Sequence, residues 1–279
     1  MVTKCEIARS LHYSTKEPNS GFTHMKGKNS NINDEFSRHY EKLPINCEEL
    51  LTLKEANNVR IDTIHVKVDD INELMLKIVE ILWDMSWMNE MLTEADAGIS
   101  EMRAKATQNN IIPKIKECID DSSSMISTTF KEYAISICSQ GALRKIKRCK
   151  IYPLSELLKE KTTNNGGFDY IVLTPDENFV FGESKYRTDG GAHLAASKQV
   201  IEFIRNNKHI SDCEVLQKFD KNAYKKCKKI NKFDVSIGFS LSRMRLDKCI
   251  NKVSETFNES DVLKGHTVYS IIIENDGIF

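Results

Sequence analysis

The chain carries no excess charge of either sign: 40 Lys and Arg stand against 40 Asp and Glu in 279 residues. That balance argues against a generic polycation that coats nucleic acid, so any basic surface has to be local. The eight cysteines are scattered singly (Cys5, Cys47, Cys118, Cys138, Cys149, Cys213, Cys227, Cys249) with no Cys-x-x-Cys. A zinc module is therefore not expected, and reduced thiols are. No apolar run approaches the ~18 residues of a membrane span, and no apolar signal-like stretch opens the chain. The expectation is a cytoplasmic protein with no membrane contact. Several catalytic signatures are missing too. There is no Walker A and no His-Glu-x-x-His, Gly238-Phe-Ser-Leu-Ser lacks the closing glycine of a nucleophile elbow, and Gly190-Gly191 has neither phosphate-loop spacing.

What is present is Gly166 to Lys185, GGFDYIVLTPDENFVFGESK. Phe168 to Leu173 and Phe179 to Tyr186 are rich in β-branched and aromatic residues, and Thr174 to Asn178 has turn chemistry. A turn centred on Asp176 puts Asp169 and Glu183, each seven residues from the centre, opposite one another. Opposed residues of an antiparallel pair have Cβ atoms about 5 Å apart. Glu183 and Lys185, two apart on one strand, share a face. Two carboxylates and an ammonium thus converge, and the repulsion between the carboxylates is relieved by a divalent cation with a taste for hard oxygen ligands. The competing reading is an ordinary hairpin with a solvated Glu–Lys pair. Against it, Glu183 lies in an apolar strand and Glu-Ser-Lys is the only Glu-x-Lys in the chain.

Asp169, a spacer, then Glu183-Ser184-Lys185 on the next strand resembles the core of the PD-(D/E)XK nuclease superfamily. The resemblance covers roughly Ser122 to Glu274. It departs from the motif at Phe168, where the name has proline, and the literal Pro175-Asp176 lies in the turn, too close to Glu183 to serve. Within the superfamily, GGFDYIVLTPDENFVFGESKY followed by a helix is similar to the HamA-type nuclease subunits of Hachiman anti-phage defence systems. The resemblance implies an α/β fold, a mixed central β-sheet flanked by helices in the manner of restriction endonucleases, and metal-dependent hydrolysis of DNA. It implies Mg²⁺ (or Mn²⁺) held by Asp169, Glu183 and the main-chain carbonyl of Ser184. Lys185 would orient or deprotonate the attacking water, or neutralise charge on the phosphorane. Glu132, Lys198 and Gln199 are candidate accessory residues. A helicase/ATPase partner is implied as well, since this chain has no helicase motif of its own. A restriction-type endonuclease, and a non-catalytic nucleic-acid-binding subunit with the same fold, are the alternatives.

The rest of the chain is read around that core. Residues 1–110 are expected as an N-terminal α/β extension that binds a partner, and 111–279 as the nuclease-like domain. Arg60 to Val68 alternates like a strand, and Asp70-Ile-Asn-Glu73 has the pattern of a capping box opening a helix. Ser122 to Gln140 has helical periodicity, with Gly141 as its break. Lys145, Lys147 and Arg148 follow as a basic cluster, and Lys225, Lys226, Lys228 and Lys229 lie in a lysine run. Beside a phosphodiesterase centre such residues would supply sequence-independent affinity for phosphates. Ala192 to Asn206 reads as a helix. Phe233 to Leu241 and His266 to Glu274 read as strands around a helix near Ser242 to Phe257.

Overall fold

The computed structural model describes residues 35–54, 59–91, 98, 100–109, 112–113, 128–159, 166–241 and 245–274. Seven strands form one mixed sheet: β1 (Ile45–Lys54), β2 (Arg60–Val68), β3 (Lys150–Ile151), β4 (Tyr170–Leu173), β5 (Phe179–Lys185), β6 (Asp234–Leu241) and β7 (Thr267–Glu274). Their order is β1-β2-β7-β6-β5-β4-β3. The four central strands run parallel, while β1 at one edge and β4 and β3 at the other pair antiparallel. Parallel strands need both faces covered, and β6 and β7 are buried on both faces over nearly their whole length. The helices with both ends described include α1 (Glu35–Glu41), α2 (Ile71–Trp83), α3 (Thr128–Lys147), α4 (Ser155–Leu158), α5 (Ala192–Arg205), α6 (Lys208–Leu216), α7 (Lys221–Ile230) and α8 (Leu246–Asn258). The α/β class expected from the sequence is the one observed. The strands of the N-terminal extension belong to the same sheet, with Ile61 of β2 beside Val268 and Ile64 beside Ile271.

Local signals explain the starts of two helices. The Asp70 side chain accepts from the backbone N–H groups of Asn72 and Glu73, and Asp220 does the same for Asn222 and Ala223 at the head of α7. His65 is half-buried on β2, 3.4 Å from Glu274 of β7. The expectation for residues 1–34 lies outside the described residues, and so does the start of the helix expected from Ser122.

Gly141 does not break α3. The helix runs through it to Lys147, and a Cβ there would lie 2.6 Å from Leu43 and 3.0 Å from Ile45. Glycine serves close approach at this point, not termination. At 1.5 Å per residue, the 20 residues of α3 span about 30 Å.

The two faces of the sheet around β5 differ in kind. Toward α3 point Tyr170, Gly182, Ser184, Ser236 and Gly238, mostly small. The Ser184 and Ser136 hydroxyls lie 2.8 Å apart, and the Tyr170 hydroxyl lies 2.8 Å from Ser236. A Cβ on Gly238 would come within 2.3 Å of Ser139. The opposite face carries Phe179, Phe181 and Phe239. Phe181 packs at ring-centroid distances of 5.3 Å on Phe168 and 6.0 Å on His209, and Phe239 packs 5.9 Å from His193. One helix is pulled close on the small side, and aromatic rings hold α5 and α6 off on the other.

Candidate active site

The hairpin has the register that its turn chemistry implies. Tyr170 pairs with Gly182, Ile171 with Phe181, Val172 with Val180 and Leu173 with Phe179. At the turn, the Asn178 N–H donates to the Thr174 hydroxyl (3.0 Å), and Glu177 takes the left-handed conformation (φ 57°). β4 begins only at Tyr170, whereas β5 continues past its partner Gly182 through Glu183, Ser184 and Lys185, so the sheet is notched at that point.

Asp169 stands in the notch. It leaves the ladder at a bend, its N–H donates to the Gly182 carbonyl (2.9 Å), and its Oδ2 accepts the Ser184 N–H (2.8 Å). The side chain takes the place of the missing strand neighbour. Its own carbonyl accepts the Ser155 N–H (2.9 Å), which seats α4 beside it. Glu183 is 1% exposed; Lys185 Nζ lies 2.7 Å from its Oε1, and its Oε2 is buried without a hydrogen-bond partner. Glu132 reaches in from α3 to 3.9 Å from Lys185.

The electrostatics follow from this crowding. Burial pushes the Asp169 carboxyl up to about 6, and Glu132 and Glu156 add to the rise while Lys185 and the Ser184 N–H oppose it. Burial also lifts Glu183 well above the usual carboxylate range, with the Asp169 charge the next cause. Burial works against the Lys185 ammonium, but Glu183 and Asp169 outweigh it and hold Lys185 above its ordinary value. Lys185 is thus a fixed cation between carboxylates.

Lys198 is exposed and Gln199 half-buried on α5, and among the described residues no hydrogen bond or ion pair joins either to the notch. Of the basic residues expected to face nucleic acid, four are engaged within the chain. Lys145 donates to the Leu43 and Ile45 carbonyls (both 2.9 Å), and Lys147 pairs with Glu49 (2.5 Å) and buried Asp62 (2.8 Å). Lys226 pairs with Glu177 (3.0 Å), and Lys228 with Glu214. Arg148, Lys225 and Lys229 are exposed.

Three residues at the notch had no signal in the sequence. Tyr133 donates its hydroxyl to Glu156 of α4, and burial together with that carboxylate keeps the phenol far above its usual value, hence protonated. Asp212 of α6 is buried, accepts the Phe168 N–H (2.9 Å) and pairs with Lys159 (2.6 Å), fixing the residue just before Asp169. These contacts join residues 23 and 44 positions apart, beyond the reach of any local pattern.

Among the described residues, no three His, Cys, Asp or Glu side chains are grouped to hold a metal ion. The donor set implied by the resemblance needs only two, Asp169 and Glu183, completed by a backbone carbonyl. The orphaned Glu183 oxygen beside a second water-starved carboxylate suits a hard dication. A cleft of about 780 Å³ opens elsewhere, at the starts of β2, β6 and β7, lined among others by Arg60, Asp62, Lys147, Lys232, Lys264 and His266; none of the notch residues lines it. No known family, curated protein or solved structure matches the chain.

Proposed function

We propose that the protein is a metal-dependent nuclease that hydrolyses phosphodiester bonds of DNA, acting in the cytoplasm as the effector of an anti-phage defence system beside a helicase/ATPase partner. The observation that carries the catalytic part is the buried, unpaired Glu183 oxygen between Asp169 and Lys185. The defence role and the partner rest on the resemblance of GGFDYIVLTPDENFVFGESKY alone.

Asp169 and Glu183, with the Ser184 carbonyl, would hold Mg²⁺ or Mn²⁺. When bound, the ion supplies a lowered water pKa and Lewis-acid stabilisation of developing charge. Lys185, held protonated by its carboxylate neighbours, neutralises charge on the phosphate oxygens as the water oxygen bonds to phosphorus and the leaving oxygen departs. The raised pKa of Lys185 favours this role over that of a general base. Glu132 and Glu183 keep its side chain aimed into the notch.

The test is cleavage of plasmid and linear DNA with and without Mg²⁺ or Mn²⁺. Glu183→Ala and Lys185→Ala are expected to lower the rate about 100-fold or more with the fold retained. Full activity of both variants, free of contaminating nuclease, refutes the assignment.

A further inference from the structure

Lys131, one residue before Glu132 on α3, is 7% exposed, which makes it the most deeply buried Lys or Arg among the described residues. Its ammonium has poor compensation. Lys147, Lys159 and Lys185 each meet a carboxylate, and Lys145 meets two carbonyls. Lys131 Nζ has the Tyr186 hydroxyl at 3.1 Å and the face of the same ring at 4.2 Å. Among the described residues, one neutral hydroxyl and a ring face are its partners, and no carboxylate pairs with it. A buried cation in that condition calls for an anionic ligand.

Its location says which one. Two neighbouring contacts join α3 to the end of β5: Glu132 with Lys185, and Lys131 with Tyr186. The two contacts thus link consecutive residues of α3 to consecutive residues at the end of β5, next to the notch. We propose that Lys131, seated on Tyr186, is a phosphate subsite that takes the backbone group next to the one being cut. This rests on the nuclease reading, and extends it to how the strand is held. Tyr186 holds the ammonium in place without spending its charge, as a carboxylate would.

The experiment uses the full chain carrying Glu183→Gln, so that turnover does not interfere. It is titrated with a fluorescein-labelled single-stranded oligodeoxynucleotide over a series of salt concentrations. Adding Lys131→Met, which keeps the apolar stem, is expected to weaken binding about ten-fold and to lower the slope of log K against log salt by about 0.7. Lys131→Arg is expected to keep both values. A purely structural lysine would leave the salt slope unchanged, so a Met variant with unaltered affinity and slope overturns the subsite. Should Lys131→Met fail to fold by circular dichroism, Lys131→Gln is read against the same slope. A parent that binds no oligonucleotide also overturns the subsite, and Mg²⁺-dependent cleavage by the unmutated chain then shows whether the nuclease reading falls with it.

Discussion

Replacing Asp169 by Asn should make the protein more stable while removing its activity. Burial holds the Asp169 carboxyl near 6 in the folded chain, against an ordinary value of 3.8. Between those two values the folded state keeps a proton that the unfolded state has lost. The stability this proton contributes is complete at pH below about 4 and is lost as the pH rises through about 6. A rise of about two pKa units corresponds to about 3 kcal/mol at neutral pH and above. Asn has nearly the same shape, keeps an oxygen for the Ser184 N–H and carries no charge. Asp169→Asn should therefore raise stability by about 2–3 kcal/mol at pH 8, or about 5–10 °C in Tm. The decisive quantity is the difference in Tm between variant and parent as a function of pH, because the other titrating groups cancel in it. The difference should be near zero at pH 4, grow through pH 6 and then level off. A divalent cation added at pH 8 should narrow the gap by stabilising the parent alone. An Asn variant that melts below its parent at pH 8, or a difference that does not change with pH, would refute the account of Asp169.

Three further outcomes follow from the same packing. Gly182→Ala would put a Cβ 2.1 Å from the Tyr170 ring, and urea unfolding should show a loss of about 3 kcal/mol. Lys147→Met removes one of the two cations on Asp62, which is 2% exposed; urea unfolding should show a loss of about 3 kcal/mol, with DNA cleavage per folded molecule unchanged. His209, packed on Phe233 at 4.5 Å, has its pKa pushed down by burial to about 4. The stability it contributes is present above pH 6.5 and lost as the pH falls through 4, so His209→Leu should flatten the melting temperature across that window, read by circular dichroism.

The β4–β5 hairpin was legible in the sequence because a tight turn and a period of two fix register locally, which placed Asp169 opposite Glu183 before any coordinates. Local pattern also located β2, β6 and β7, and the capping box at Asp70 marked the start of α2, whereas the Asp220 cap of α7 was not anticipated. Gly141 was misread because a glycine that ends a helix and one that lets another segment come close look alike in one dimension; Leu43 and Ile45 decide between them from about 100 residues away. Strand β1 and helix α6 were not anticipated. Cys47, Glu48 and Glu49 interrupt the apolar pattern of β1, which takes its order from pairing with β2. Lysines announce positive charge but not its destination. Lys145 and Lys147 turn inward to the backbone and to Asp62, a choice made by tertiary contact.

The unequal sheet faces have a consequence for how this protein can vary. On the side of α3, where Gly182, Ser184 and Gly238 admit the helix, substitutions can shrink but not grow. On the aromatic side the tolerance is reversed, since a smaller residue leaves a void between the sheet and α5 or α6. Because α3 carries Glu132 and Lys131 beside the notch, a bulky replacement at Gly238, the strand neighbour of Ser184, would tilt both together. Drift in sequence on that face is thereby transmitted to the chemistry as a change in aim.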